Sequence, residues 1–159
     1  MWYQQFIITG SEFMANNRIN LPLQLLYLRT IYADCIKSIE NKNGKLVCIM
    51  TLRPSQESCV YKIKIECKQL GRPKVWLLSP PLKRVNGELP HHLYDKENKD
   101  KYPRLCMYDS RKGHDEFIDN KPWAYTLIPW VLSWLNTYEY WLITGKWHHA
   151  EVIKGERFD

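Results

Sequence analysis

Few side chains can take up an acyl group and hand it on. Cysteine is the best suited, because a thiolate both attacks a carbonyl carbon and leaves from it more readily than an alkoxide does. The chain carries five: Cys35, Cys48, Cys59, Cys67 and Cys106. The first four fall on segments with helix or strand periodicity, at positions expected to face a core, where cysteine behaves as a small hydrophobe. Cys106 lies in a stretch without such periodicity, among Arg104, Arg111, Lys112 and His114, whose charges favour its thiolate. The same stretch holds His91 and His92, either of which can donate a hydrogen bond to an oxyanion formed at Cys106. Asp109, Asp115 and Glu116 are nearby carboxylates able to orient an incoming amine. These residue types outline acyl transfer through Cys106; a cysteine packed beneath a loop is the plain alternative.

Other chemistries find little support. Five cysteines with no CxxC spacing fit neither a zinc ribbon nor a secreted disulfide framework. The adjacent pairs His91-His92 and His148-His149 do not put two ligands on one helix face, so no metal is expected. The seven glycines are scattered and form no phosphate-cradling loop, so the chain is not expected to activate a carboxylate with ATP, and no cofactor is expected.

The elements that must position Cys106 come from periodicity. Leu25, Leu28, Tyr32, Cys35, Ile36 and Ile39 recur three or four apart, which predicts one long amphipathic helix with Asn20 as its cap, Pro22 in its first turn and Asn43-Gly44 at its end. Lys45–Leu52 is rich in strand formers. Val60–Cys67 alternates, Tyr61, Ile63, Ile65 and Cys67 against Lys62, Lys64 and Glu66, as a half-solvated antiparallel strand does. A turn at Leu70–Pro73 leads to a third strand, Lys74–Leu78, stopped by Pro80-Pro81. From Leu82 to Pro122 no period is sustained. A connection that long is usually functional, and its apolar returns at Pro90–Tyr94 and Leu105–Tyr108 predict two attachments to the domain. Leu127, Val131, Trp134, Leu135, Tyr138, Trp141 and Leu142 form a helical stripe, with a short turn expected from Pro122, the main helix from about Pro129 and a stop at Gly145. The order of helix, meander, long loop and helix is α+β.

Composition agrees with one soluble domain: 159 residues, 45% apolar, 25% charged and 13% aromatic. No run approaches the ~18 consecutive apolar residues that span a bilayer, so no membrane partner is expected. The net charge is +6, concentrated between Arg53 and Lys112, where 14 basic residues stand against 7 acidic ones. Such a middle third can meet an acidic protein surface or nucleic acid, or be simply a solvated face. Met1–Phe13 reads as a vector-encoded leader, since Gly10-Ser11-Glu12-Phe13 is what two adjacent cloning sites encode and Met14 follows. A single domain over Met14–Asp159, in a reducing bacterial cytoplasm, is the expectation.

Several segments carry a family resemblance. Pro90-His-His-Leu-Tyr94, Leu105-Cys-Met-Tyr108, Trp123, Leu127-Ile-Pro-Trp130 and Trp134-Leu-Asn-Thr-Tyr-Glu-Tyr-Trp141-Leu-Ile-Thr-Gly-Lys-Trp147 resemble the prokaryotic ubiquitin-conjugating-enzyme-like family. That family includes the conjugating proteins of bacterial anti-phage (CBASS) operons that signal with cyclic oligonucleotides. Upstream, Tyr61-Lys-Ile-Lys-Ile65, Pro73-Lys-Val75 and Pro80-Pro-Leu82 resemble the strand, turn and strand leading into its active site. The likeness runs from about Leu25 to Trp147.

The resemblance implies an N-terminal helix, antiparallel meander, active-site loop and C-terminal helix. It implies that Cys106 forms a thioester with the C-terminal carboxyl group of a donor protein and passes the acyl group to an amine. In eukaryotic relatives a His-Pro-Asn triplet precedes the cysteine and its Asn stabilises the oxyanion; Pro90-His91-His92 stands there instead, aligning His92 with the Asn and Tyr94 with an aromatic two residues on. His92 can donate a hydrogen bond, but its charge varies with pH. The spacing to Cys106 is lengthened by Asp95–Arg104. His91, Tyr94, Asp109 and His114 are implied neighbours of the site. A chain this short resembles the stand-alone type, whose donor is the C-terminus of a cGAS-like cyclic-oligonucleotide synthase and whose acceptor is a protein lysine or another amine. Three rival functions stand beside this: a non-catalytic adaptor of the same fold that binds the synthase, a basic, aromatic-rich binder of single-stranded nucleic acid, and a cysteine hydrolase. The last two are disfavoured, because most Trp residues fall in the acidic C-terminal third, several on a helical stripe, and no His base with an orienting Asn or Asp is evident.

Overall fold

A computed structural model describes residues 18–94, 101–108 and 117–147. Helix α1 spans Leu21–Ile31. Asn20 caps it, its side chain accepting a hydrogen bond from the Leu23 amide, and Pro22 sits in the first turn, where no amide donor is needed. The helix ends earlier than its periodicity predicts. After a 3-10 turn at Ala33–Cys35 the chain becomes strand β1, Ile36–Lys42. The reason lies in Asn43-Gly44, which is a two-residue hairpin turn and not a helix stop. Both residues have positive φ, 54° and 69°, and Lys42 pairs directly with Lys45. Ile36 and Ile39 therefore face inward from a strand, opposite Met50 and Cys48.

The remaining strands are β2 (Lys45–Leu52), β3 (Tyr61–Lys68), β4 (Lys74–Ser79), β5 (Leu93–Tyr94) and β6 (Arg104–Leu105). They form one six-stranded sheet in the order β1-β2-β3-β4-β6-β5, and every neighbouring pair is antiparallel. Alternation fixes the register. Leu46, Cys48, Met50 and Leu52 of β2 and Tyr61, Ile63, Ile65 and Cys67 of β3 are buried, and a slip of one residue would turn all of them to solvent. The stretch from Leu82 thus contains two short strands where none was expected. They dock the loop on the β4 edge: Leu105 opposite Val75, and Leu93 opposite Leu105.

Helix α2, Leu127–Thr144, buries Leu127, Ile128, Val131, Trp134, Leu135, Tyr138 and Trp141 in the core cluster that also holds the inner-face side chains of the sheet. It begins two residues before Pro129, which occupies the first turn, where a missing amide breaks no helical bond. Gly145, at φ 69°, closes it with a bond from its amide to the Trp141 carbonyl. α1 is tied to the turn before α2 by Gln24, 1% exposed, whose Oε1 accepts from the Trp123 amide at 2.8 Å. Near the other end of α2, Glu139 accepts hydrogen bonds from Ser58 and Tyr61 at 2.6 and 2.8 Å and fixes the β2–β3 connection. No helix among the described residues is long and apolar enough to cross a membrane.

Candidate active site

Cys106 follows directly on β6, and the register that pairs Leu105 with Leu93 sets it opposite His92. Its amide donates to the His92 carbonyl at 2.8 Å. That carbonyl also accepts from the indole Nε1 of Trp134 at 3.2 Å, so α2 holds the residue that abuts the cysteine. His92 has φ 54°, a left-handed conformation that costs a non-glycine residue about 1–2 kcal/mol and is sustained here by both bonds.

The thiol of Cys106 is half-buried. Its Sγ lies 3.9 Å from the Tyr108 carbonyl oxygen, which also accepts from the Tyr94 hydroxyl at 3.1 Å. Burial, and then the neighbouring Cys106 side chain, push the Tyr94 phenol far above its usual range, with the Arg104 guanidinium pulling the other way. Tyr94 is therefore a neutral hydroxyl at every physiological pH, beside the sulfur. Arg104 lies across from Tyr94 in the β5–β6 register with its guanidinium carbon 4.2 Å from the ring centroid. Tyr108 braces the segment after the cysteine by donating to the Pro73 carbonyl at 2.6 Å, and burial pushes its phenol up to about 12.

The two histidines stand on an aromatic cluster. His91 stacks on Trp147 with ring centroids 5.8 Å apart and an 8° tilt; His92 is 6.0 Å from the same ring. Trp147 in turn packs against Trp134 and Trp141. The sequence places Trp134 and Trp141 on the helical stripe. That they also carry the histidine segment has no local signal, because the partners lie 42 and more residues apart in the chain.

Of the residues singled out from sequence, Cys106, His92 and Tyr94 come together across the β5–β6 pairing, and His91 stands beside His92 on the Trp147 ring. Asp109, His114, Asp115, Glu116, Arg111 and Lys112 lie outside the described residues, as does Met1–Phe13. The other cysteines divide differently from the expectation. Cys48 and Cys67 are core, and burial pushes each thiol up to about 11. Cys59 is exposed, because it falls in the connection before β3 and not on the strand, and Cys35 is half-buried at the end of the 3-10 turn. Among the described residues no three His, Cys, Asp or Glu side chains gather as a metal site.

A helix, an antiparallel meander, a cysteine on a paired strand end and a second helix across the sheet define a protein of the conjugating-enzyme-like (E2-like) α+β class. The family model described as type II CBASS E2 protein matches residues 24–154, and the chain belongs to that family. It is thus an E2-like protein of anti-phage defence. No curated protein matches the chain.

Proposed function

We propose that the protein is a cysteine-dependent acyl carrier. Cys106 takes the C-terminal acyl group of a donor protein as a thioester and transfers it to an amine. The reading is carried by one observation, the β5–β6 pairing that sets His92 opposite Cys106 and lets the Tyr94 hydroxyl and the Cys106 thiol share the Tyr108 carbonyl. In the first step the thiolate attacks a donor carbonyl already activated by a separate adenylating protein, as an acyl adenylate or a thioester, and AMP or the earlier thiolate leaves. In the second a neutral amine attacks the thioester carbonyl, the tetrahedral oxyanion collapses, and the Cys106 thiolate departs while a base takes the amine proton. His92, and next to it His91, is the candidate donor to the oxyanion. Asp109 and His114 are candidates for handling the amine.

Family membership supports a cGAS-like cyclic-oligonucleotide synthase as the donor and a protein lysine or another amine as the acceptor. The test co-expresses the chain with a cGAS-like synthase as wild type, Cys106→Ala and Cys106→Ser. A thiol-sensitive adduct in wild type, absent in Ala and thiol-resistant in Ser, is expected. A Cys106→Ala protein that supports phage defence as well as wild type would instead make the chain a binding adaptor.

A further inference from the structure

The sheet has a second face, and its chemistry is one-sided. Tyr94, Arg104, Trp76, Lys64 and Ile49 are consecutive cross-strand partners from β5 to β2, all on the face turned away from the core. Cations and aromatics alternate along this row: Lys64 Nζ sits 4.3 Å from the Trp76 ring centroid, and Arg104 covers Tyr94. One step along the same register, Lys74 and His92 flank Cys106. At the far side of this face a depression of about 480 Å³ is lined by Lys42, Lys45 and Lys68 together with Glu40, Asn43, Gly44 and Val47. Only two carboxylates, Glu40 and Glu66, stand on the strands of this face, and Glu66 is bonded by Lys45 at 2.9 Å and approached by Lys64 at 3.7 Å. Lys62, Lys68, Lys74 and Arg104 have no carboxylate partner among the described residues. The Arg104 Nε is buried without any hydrogen-bond acceptor there.

We propose that this face is a docking track for an extended, acidic C-terminal segment of the donor protein, seated in the lysine-lined depression and running along the Val47, Glu66 and Lys74 row to Cys106, beside the row of Lys64, Trp76 and Arg104. The proposal rests on the acyl-carrier reading, and it names what that carrier recognises. Three to four strand spacings of ~4.8 Å separate the depression from the cysteine, about 15–20 Å, which an extended segment of about five or six residues covers. Carboxylates on such a segment meet the lysines that have no carboxylate partner among the described residues. Single-stranded nucleic acid fits less well. A cation already covers one face of each ring, and Trp76 is 9% exposed, so neither ring offers a base an open platform.

The test titrates nitrogen-15-labelled Cys106→Ala protein with a synthetic peptide of about six residues alternating Glu and Ser, with a free carboxyl end. A Gly-Ser peptide and oligothymidylate of equal length serve as comparisons. Amide shifts at Lys45, Lys68, Lys74, Trp76 and Arg104 are expected with the acidic peptide, and Lys68→Glu with Lys74→Glu weakens them about tenfold. Both lysines are exposed, so the fold stands. Unmoved amides, equal shifts with Gly-Ser, indifference to the charge reversals, or stronger shifts with oligothymidylate would each overturn the track. Because the titration uses a protein without the thiol, it fails or succeeds independently of the thioester. An adduct on wild-type protein with no peptide shifts would sink the track alone; shifts without an adduct would sink the carrier reading alone.

Discussion

At the scale of single residues, the cysteines differ by what surrounds their sulfur. Burial raises the Cys48 and Cys67 thiols from 9.0 to about 11, so at pH 8 both are protonated and covered. Cys59 is exposed and Cys106 half-exposed. Iodoacetamide on native protein at about pH 8 should therefore label Cys59 and Cys106 first, and Cys48 and Cys67 only after denaturant is added, as peptide mass spectrometry reads directly. A stability prediction follows from the same two groups. Their folded pKa lies above the unfolded one, so the stabilisation is complete below about pH 9 and is lost as pH rises through about 11. The unfolding free energy should fall over that window by an amount on the order of 5 kcal/mol for the two thiols together, and Cys48→Ala should remove about half of the fall while lowering stability at neutral pH. A slope unchanged in Cys48→Ala would contradict this assignment.

Elements show how much of the molecule was legible. The strand alternation of Tyr61–Cys67, the Asn20 cap and the Gly145 stop were plain, because each rests on a local rule that tertiary structure obeyed. The helix extended to Ile39 was wrong because apolar residues three and four apart in a short window also suit a strand with a bulge, here between Ile36 and Ser38. Asn43-Gly44 carried the deciding signal as a hairpin turn. Gly44→Ala should test it. Gly44 has φ 69°, and a Cβ there would meet the Gln69 Oε1 at 3.0 Å, so a loss of about 1–2 kcal/mol is expected in the denaturation midpoint. Cys106 and His92 could be paired in advance only through the family likeness. Their meeting depends on two-residue strands too short for any periodicity, and on an indole contributed by α2. Trp134→Phe keeps an aromatic ring but removes the indole's second ring with its hydrogen bond to the His92 carbonyl. It should cost about 2–3 kcal/mol, since Trp134 is fully buried, and speed hydrogen exchange at the Cys106 amide, whereas exchange unchanged there would show that α2 does not hold the site.

For the whole molecule, the sheet separates two tasks. Its inner face and both helices make the core, from Leu28 and Gln24 in α1 to Trp134 and Leu135 in α2. Its outer face is basic, and the strand end that closes it carries the thiol, so on the proposed reading a partner docked on that face would reach Cys106 without disturbing the core. The central claim is that Cys106 carries an acyl group. The most direct measurement is the intact mass of the chain recovered under non-reducing conditions from cells that also express the synthase. The account predicts a species equal to the sum of the two chains less one water, collapsing to both free chains with added thiol and missing from Cys106→Ala. Wild-type protein of bare mass beside an intact synthase, or an adduct that persists in Cys106→Ala, would contradict it.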